Sequence, residues 1–339
     1  MTIIFKKYIL KMVFCEPKLS YKGLIMKKVS IVIGLYNSEK TIEAVLDEIK
    51  TTFESQSKYD YEVVLVDDYS PDGVFELVKG IAEGNERIKV IHLAKNAGQT
   101  TAVLEGYHYV TGDYVVNMDD DYQMPAYEVP RMIEKLENDN LDVVFAKYPE
   151  QKEGFARRMA SKLNNWSSKI SVGKPKEIRV NSFIAMRRFV MEGMLKYRNN
   201  YPYWYGIIFA ITKNVANLEV DHRERTNGKS NYSFRTLFSL WLNGFLNFSI
   251  QPLRVATRLG VLVTIVSFIL AIVLILQRFI VGTALKGWTS LMVAIIFFAG
   301  VQLICIGMLG EYLGRLFITK SGIPRATVRD TVNVEDEED

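Results

Sequence analysis

The chain has 339 residues, and 42 Lys and Arg against 38 Asp and Glu give it a formal net charge of only +4. This balance argues against a nucleic-acid-binding protein. The two cysteines, Cys15 and Cys305, stand far apart and support neither a disulfide framework nor a cysteine zinc site. The mean hydropathy of +0.05 is high for a soluble protein, and the apolar excess is concentrated near the C-terminus.

From Val29 onward, short apolar runs alternate with amphipathic stretches. Strands are predicted at residues 29–36, 61–68, 88–94, 113–119 and 141–148, and helices at 41–53, 74–83, 100–110 and 129–138. Alternation of this kind predicts an α/β fold with a mostly parallel sheet and helices on both faces. The strands lack polar alternation, which agrees with burial on both sides.

Polar clusters follow four of the predicted strands. They are Tyr36 with Asn37, Asp67 with Asp68, Lys95 with Asn96, and the run Asp119, Asp120 and Asp121. In parallel sheets, ligands bind beyond the carboxyl ends of the strands, so all four clusters are expected on one rim. Any single cluster is as well explained by a solvated turn, but four on one rim favour a binding site.

The stretch YVVNMDDDYQMP ends an apolar strand in three carboxylates. Asp119 and Asp121 are two residues apart on a loop that leaves the strand, so both can reach one hard cation. Mg²⁺ and Mn²⁺ prefer oxygen ligands and leave positions open for phosphate oxygens. A cation held there would stabilise a leaving pyrophosphate.

Two uncharged runs, Leu259–Leu276 and Trp288–Leu309, are each long enough to cross a membrane as a helix. The short connector between them predicts a hairpin, and the flanking Arg and Lys residues place both long ends in the cytoplasm. A pair of buried helices in a soluble protein is the alternative. The aromatic, Leu-rich stretch before the first run reads either as a helix in the membrane interface or as one packed on the soluble domain. The N-terminal stretch lacks the features of a cleavable signal peptide.

Several segments carry a resemblance to a known family: VSIVIGLYNSEKTI, YEVVLVDDYSPDG, LAKNAGQTTAVLEGYHYVTGDYVVNMDDDYQMP, HRERTNGKSNYSF and LGEYLGRLF. In order and spacing the chain resembles the membrane-attached family 2 glycosyltransferases, which have a GT-A fold. It is most similar to the polyprenyl-phosphate glycosyltransferases, a group that includes dolichol-phosphate mannose synthases and bactoprenol glucosyltransferases. The resemblance covers about residues 27–325.

The resemblance implies three sets of site residues. The nucleotide-sugar set is Tyr36, Asn37, Glu39, Asp67, Asp68, Lys95, Asn96, Gly98, Asp119 and Asp120. The set for Mg²⁺ or Mn²⁺ is Asp119, Asp121 and Gln123. The acceptor-phosphate set is Arg223, Arg225, Lys229, Ser230 and Tyr232, on a flexible basic loop for which a solvated hairpin is the alternative. Catalytic roles fall to Asp121, Arg223, Arg225 and Lys229.

The chain departs from the family pattern at several positions. Gly34 stands where proline is usual, and Tyr122 and Met124 stand where a leucine and an acidic residue are usual. Ser182 replaces an aspartate, and Ile184 an arginine, in a Gly-Asp-Phe-Arg-like motif. The missing aspartate removes a proposed catalytic or acceptor-orienting carboxylate.

The resemblance implies an inverting transfer of a sugar from a UDP- or GDP-sugar to a membrane polyprenyl phosphate. The acceptor is already an anion, so attack needs no general base. Transfer to a hydroxyl of a lipid-linked or surface glycan is the second hypothesis. A non-catalytic membrane scaffold that kept the fold is the third.

The expected organisation has five parts: an extension at 1–26, a cytosolic GT-A domain at 27–232, interfacial helices at 233–256, two transmembrane helices at 257–311 and a cytosolic tail at 312–339. We expect a multi-pass protein of a prokaryotic plasma membrane, with both termini cytoplasmic. Expected partners are a nucleotide-diphosphate sugar, polyprenyl phosphate and the lipid membrane, with no nucleic acid. Small residues such as Gly300, Gly307 and Gly310 suggest a homo-oligomer.

Overall fold

In the computed structural model the described residues are 26–149, 175, 177–197, 204–221, 223, isolated positions between 260 and 276, and 287–334. The strands within them are β1 (Lys27–Leu35), β2 (Tyr59–Asp67), β3 (Ile88–Leu93), β4 (Tyr114–Met118), β5 (Val143–Lys147), β6 (Ile184–Arg187), β7 (Val215–Glu219) and β8 (Val328–Val332). The helices are α1 (Ile42–Glu54), α2 (Val74–Glu83), α3 (Gln99–Gly106), α4 (Val129–Asn138), α5 (Arg188–Leu195), α6 (Trp204–Ile211) and α7 (Trp288–Lys320).

The strands described form one sheet in the order β7-β5-β6-β4-β1-β2-β3-β8. The central pairs β4-β1, β1-β2 and β2-β3 are parallel, as is β5-β7. β6 runs antiparallel to both of its neighbours, and β8 runs antiparallel to β3. The predicted α/β fold with a mostly parallel sheet is confirmed.

Helices cover both faces of this sheet. Side chains of α1, α2 and α4 form one core cluster against it, and side chains of α3, α5 and α6 form a second on the other face. The central strands are apolar throughout because both of their faces are buried. On β1, for example, Ile31, Val32 and Ile33 are all fully buried.

The second predicted apolar run is helical and longer than expected, since α7 continues to Lys320. Within the part of the chain that the structure describes, Phe297–Lys320 is the one helical segment long and apolar enough to cross a membrane. None of its apolar stretch is buried against the other described residues. Leu303 and Phe317 are about 70% exposed, at 69% and 71%. Large apolar side chains exposed at many positions of one helix are typical of a surface that contacts a membrane or another protein.

After α7 the chain returns to the sheet, which the sequence did not reveal. β8 adds to the outer edge of β3, and the Ala94 amide extends the pairing by donating to the Thr327 carbonyl at 2.8 Å. The side-chain amide of Asn333 then donates through Nδ2 to the backbone carbonyls of Ala82, Asn85 and Ile88, at 2.6, 3.1 and 2.9 Å. The tail therefore covers the outer edge of β3 and caps the C-terminal end of α2.

Other predictions lie outside the described residues. These are the extension at 1–25, most of the basic loop, the interfacial stretch through residue 256 and most of the first apolar run. At the positions described between 260 and 276 the chain is helical. The hairpin topology and the orientation of the termini stay predictions.

Candidate active site

The candidate site lies at the carboxyl ends of β1, β2 and β4. Just beyond each of these strands one residue other than glycine adopts the left-handed conformation: Asn37 with φ 58°, Tyr69 with φ 55° and Tyr122 with φ 62°. This conformation is costly for a tyrosine, and such residues concentrate at functional sites where the surrounding structure holds them. Of the five such residues in the described part of the chain, three therefore lie at the rim predicted from the polar clusters.

Asp119, the first carboxylate of the acidic run, is held by hydrogen bonds to both oxygens. Ser182 Oγ donates to Oδ2 and Gln99 Nε2 donates to Oδ1, each at 2.8 Å. Burial raises the pKa of Asp119 to about 6, the neighbouring carboxylates of Asp121 and Asp120 add to the rise, and the Ser182 bond opposes it. The side chain is therefore oriented, and its negative charge lacks full compensation from the protein.

The next two carboxylates have different partners. Asp120 turns back toward β1, where its Oδ2 accepts from the Tyr36 amide at 3.0 Å. Burial raises the pKa of Asp120, and this backbone bond opposes the rise. Asp121 Oδ1 accepts from the Gln123 amide at 3.2 Å, which closes the turn. Asp120 thus joins two strand ends, while Asp119 and Asp121 remain the pair suited to a shared ligand.

The donor chemistry of this turn fits a hard divalent cation. Asp119 and Asp121 offer oxygen ligands two residues apart, and their mutual repulsion is what a bound cation relieves. Among the described residues no cluster of three or more His, Cys, Asp and Glu side chains forms a metal cage. Mg²⁺ is commonly held by one or two carboxylates, with phosphate oxygens and water completing the shell. The residues present fit that mode of binding.

Asp68 organises the loop that follows β3. Its carboxylate accepts from the Ala97 amide at 2.6 Å and from the Gly98 amide at 2.8 Å, and its own carbonyl accepts from Asn96 Nδ2 at 3.1 Å. Burial raises the pKa of Asp68, and the two backbone donors oppose the rise. Gly98 has a φ of 87°, a conformation that favours glycine. Lys95 and Asn96 are left exposed beside the rim.

Asp67 is fully buried and faces away from solvent. Its Oδ2 lies 2.6 Å from His92 Nδ1, and its Oδ1 accepts from the Ser70 amide at 3.2 Å. The His92 ring stacks on Phe75 with centroids 4.2 Å apart. Asp67 therefore holds the loop after β2 in place. Because its side chain is buried, it can affect a ligand only indirectly, through the position of that loop.

Glu39 connects the loops that follow β1 and β2. Its carboxylate accepts from the Gly73 amide at 3.2 Å, directly before α2, and its own amide donates to Asp72 Oδ2 at 3.0 Å. A carboxylate is stabilised at a helix N-terminus by the unpaired amides there. Tyr36 and Asn37 stay exposed beside this junction, as a nucleotide contact requires.

Arg223, the described member of the basic loop, lies against the turn at residues 119–123, called here the metal-motif turn. Its guanidinium forms a bidentate pair with Glu48, at 2.6 and 2.8 Å. Its carbon atom Cζ lies 4.4 Å from the Tyr122 ring centroid and 5.6 Å from that of Tyr127. The other predicted acceptor residues, Arg225, Lys229, Ser230 and Tyr232, fall outside the described residues.

Comparison with known proteins decides the family. The sequence model of glycosyl transferase family 2 matches residues 30–195. An undecaprenyl-phosphate 4-deoxy-4-formamido-L-arabinose transferase from Aeromonas hydrophila subsp. hydrophila is 32% identical over 311 residues, which cover 91% of this chain and 94% of that protein. The chain belongs to glycosyl transferase family 2.

Solved structures of glucosyl-3-phosphoglycerate synthase from Mycobacterium tuberculosis are similar to part of this chain. The complex with Mn²⁺, UDP-glucose and phosphoglyceric acid is 19% identical, covers 65% of this chain and 78% of the synthase, and has a TM-score of 0.47. The complex with phosphoglyceric acid is 17% identical, covers 66% and 80%, and has a TM-score of 0.49. The mixed sheet with helices on both faces is the GT-A-like fold implied for a family 2 glycosyltransferase.

The structure adds residues that sequence reasoning left out of the site. Gln99 donates to Asp119 and the His92 ring contacts Asp67, yet an isolated Gln or His gives no sequence signal of its own. Glu48 sits on α1, and only the fold brings it to Arg223. Ile184 is fully buried in the core, so an arginine there would have no room to remain solvated.

Proposed function

We propose that this family 2 glycosyltransferase moves a sugar from a nucleotide-diphosphate donor to a membrane polyprenyl phosphate. The oriented Asp119, beside Asp121 on the sheet rim, is the observation that carries the proposal, since it suits a cation bound to a diphosphate. The undecaprenyl-phosphate transferase that matches 91% of the chain supports the acceptor class. The exposed apolar helix α7 supports a lipid acceptor at the membrane.

In the proposed reaction an oxygen of the acceptor phosphate attacks the anomeric carbon of the donor sugar. The bond from that carbon to the diphosphate breaks, and attack from the opposite face inverts the configuration. The phosphate is already an anion, so the chain need not supply a general base. Rate enhancement then comes from positioning and from stabilising charge on the leaving diphosphate.

The roles proposed for the residues follow their positions. Asp119 and Asp121, with Gln123, would hold Mg²⁺ or Mn²⁺, which when bound would offset charge on the diphosphate. Tyr36, Asn37 and the loop at Lys95 and Asn96 would contact the nucleotide.

The remaining roles fall to residues behind the rim and to the basic loop. Glu39, Asp67, Asp68, Asp120 and Gly98 would hold the nucleotide-facing loops in place through the backbone bonds described above. Arg225, Lys229, Ser230 and Tyr232 would bind the acceptor phosphate, for which Arg offers a bidentate grip.

The proposal includes the organisation of the chain. A catalytic domain at 27–232, interfacial helices at 233–256, two membrane helices at 257–311 and a tail at 312–339 would place the rim at headgroup depth. A prokaryotic plasma membrane, with the catalytic domain on the cytoplasmic side, fits a donor made in the cytosol. Contacts between copies through Gly300, Gly307 and Gly310 would give a homo-oligomer.

A transfer assay with the full chain in detergent tests the function. It uses undecaprenyl phosphate, labelled UDP- and GDP-sugars and Mn²⁺, and it measures label extracted into organic solvent. We expect a product that disappears with EDTA and with Asp121→Asn, but not with the matched exposed variant Asp139→Asn. Mn²⁺-dependent donor binding without any lipid product would contradict the phosphate acceptor and favour a glycan hydroxyl instead.

A further inference from the structure

Arg223 is engaged by a carboxylate from a distant part of the sequence. Nη1 lies 2.6 Å from Glu48 Oε2 and Nη2 lies 2.8 Å from Glu48 Oε1, so the two groups form parallel bonds. The Glu48 side chain is 14% exposed and that of Arg223 is 31% exposed. A bidentate pair in a partly buried position is among the stronger side-chain contacts in proteins.

The same guanidinium contacts the turn that carries the acidic run. Its Cζ is 4.4 Å from the ring centroid of Tyr122, the residue directly after Asp121. The Arg223 amide approaches the Gln123 carbonyl at 3.5 Å. Tyr122 has a left-handed backbone, which brings its ring to this face of the turn. Arginine stacks on aromatic rings through its flat, weakly hydrated face.

A second contact lies two residues earlier in the chain. Tyr127 Oη donates to Asp221 Oδ2 at 3.1 Å, and the Asp221 amide donates to Glu128 Oε1 at 3.4 Å. The chain entering the basic loop is thus fixed to the segment that follows the acidic run. This attachment places Asp221 and Arg223 beside the segment that follows Asp121.

The guanidinium of Arg223 is already engaged by other side chains and is poorly placed to bind an acceptor phosphate. Its paired nitrogens face Glu48, and a ring covers one side of the guanidinium. If Arg223 turned to a phosphate, it would leave the carboxylate of Glu48 partly buried without its cation, which is costly. A leucine at position 122 would offer no ring for stacking, so this contact depends on the tyrosine.

We propose that Arg223 is a positioning residue that fixes the start of the basic loop to the metal-motif turn through Glu48 and Tyr122. It does not bind the acceptor phosphate. The proposal rests on the proposed function in leaving that phosphate to Arg225 and Lys229. Glu48 is not assigned to the site by any sequence motif. The proposal predicts that it is as important as Arg223 for holding the start of the basic loop in place.

Limited trypsin digestion of the full chain in detergent tests the attachment without any substrate. The variants are Glu48→Gln, Arg223→Gln and the double variant, and the rate of cleavage after Arg225 and Lys229 is measured. The matched control is Glu192→Gln, which removes an exposed carboxylate paired with Arg188 at 3.0 Å.

Both single variants are expected to accelerate cleavage about tenfold, and the double variant no more than either, because contacting residues that act together are not additive. The control is expected to match the unaltered protein. Unchanged rates in both single variants would overturn the proposal. If Glu48→Gln does not fold, Tyr122→Leu replaces it, since it removes the ring contact with Arg223 and keeps an apolar side chain.

Kinetics supply the second measurement. We expect Glu48→Gln and Arg223→Gln to raise KM for undecaprenyl phosphate by the same factor. A rise in Arg223→Gln alone would show that Arg223 binds the phosphate, and it would overturn the proposal. If the unaltered protein transfers no sugar to undecaprenyl phosphate, the proposed function fails, and the digestion result still decides the role of Arg223.

Discussion

Ser182 Oγ donates a 2.8 Å hydrogen bond to Asp119 Oδ2. Ser182 therefore supports the acidic run directly. An ionised aspartate at position 182 has no proton to donate and would place a second negative charge beside a buried carboxylate. Asn117 Nδ2 holds the Ser182 carbonyl at 3.0 Å, so β4 fixes both partners of the bond.

Removing this hydroxyl is expected to weaken cation binding. Groups that orient a metal ligand typically contribute about 10- to 100-fold to metal affinity. Ser182→Ala should therefore raise the Mn²⁺ concentration needed for half-maximal, Mn²⁺-dependent UDP binding by about tenfold, measured by calorimetry. Ser182→Thr keeps the hydroxyl and is expected to bind Mn²⁺ nearly normally. Equal affinities for the Ala and Thr variants would contradict the role given to the bond.

Gly106 is required for the close approach of α3 to the sheet. A Cβ at this position would lie 2.7 Å from Val66 Cγ2 and 2.9 Å from Val32 Cγ1. Gly106→Ala is expected to lower the free energy of unfolding by about 1–3 kcal/mol, the usual cost of overpacking. The matched control is Gly80→Ala on α2, where a Cβ meets no atom within 4 Å. Chemical denaturation should show loss in the first variant and none in the second.

Glu62 makes stability depend on pH. Burial raises its pKa, but hydrogen bonds from Lys28, Ser30 and Thr111 outweigh that effect and hold the pKa at about 2, against an ordinary value of 4.5. A lowered pKa stabilises the fold above pH 4.5, and that contribution is lost as pH falls from 4.5 toward about 2. Lowering the pKa from 4.5 to about 2 corresponds to about 3 kcal/mol of folding stability. Solvent screens this contribution little because the side chain is only 2% exposed.

Glu62→Gln is expected to flatten the dependence of unfolding free energy on pH across this window. Far-ultraviolet circular dichroism with urea at several pH values measures it. Glu86→Gln, at an exposed position, should leave the slope unchanged. An identical slope in Glu62→Gln and the unaltered protein would mean that Glu62 does not carry this stabilisation.

Asn333 is expected to be a major contact of the returning tail. Its amide reaches three carbonyls at the end of α2 and the start of β3. Asn333→Asp has nearly the same shape but no donor, and it should lower the unfolding free energy by about 1–3 kcal/mol. Asn333→Gly retains the left-handed backbone and separates the effect of φ from that of the side chain. Equal thermal midpoints for the Asp variant and the unaltered protein would count against this contact.

Much of the central fold could be predicted from the sequence. α2 and α4 match the predicted bounds, because their apolar residues follow a helical period and both segments end in polar turns. The five predicted strands, β1 to β5, fall within two residues of their predicted ends because continuous apolar runs mark burial on both faces. The acidic run could be predicted as part of a site because polar clusters follow four neighbouring strands, although one cluster alone is as well explained by a solvated turn.

What could not be predicted depends on contacts between distant residues. β8 is short, and its pattern VRDTV alternates too weakly to distinguish an edge strand from a tail. The pairing of Arg223 with Glu48 joins residues 175 positions apart, and no local pattern indicates it. The hydrogen bonds that occupy Asp67 and Asp68 were equally hidden, since a sequence shows a carboxylate but not the donor it accepts from.

The positions of β7 and β8 bear on how the catalytic domain is oriented. β7 is at one edge of the described sheet and β8 at the opposite edge. The chain between them includes the apolar helix α7, so that helix is connected to the domain from two sides. The connection from α7 to β8 is short, so the C-terminal end of the helix is tied to the sheet edge at β3. Under the proposed function, this attachment would limit how far the catalytic rim can tilt relative to a lipid surface.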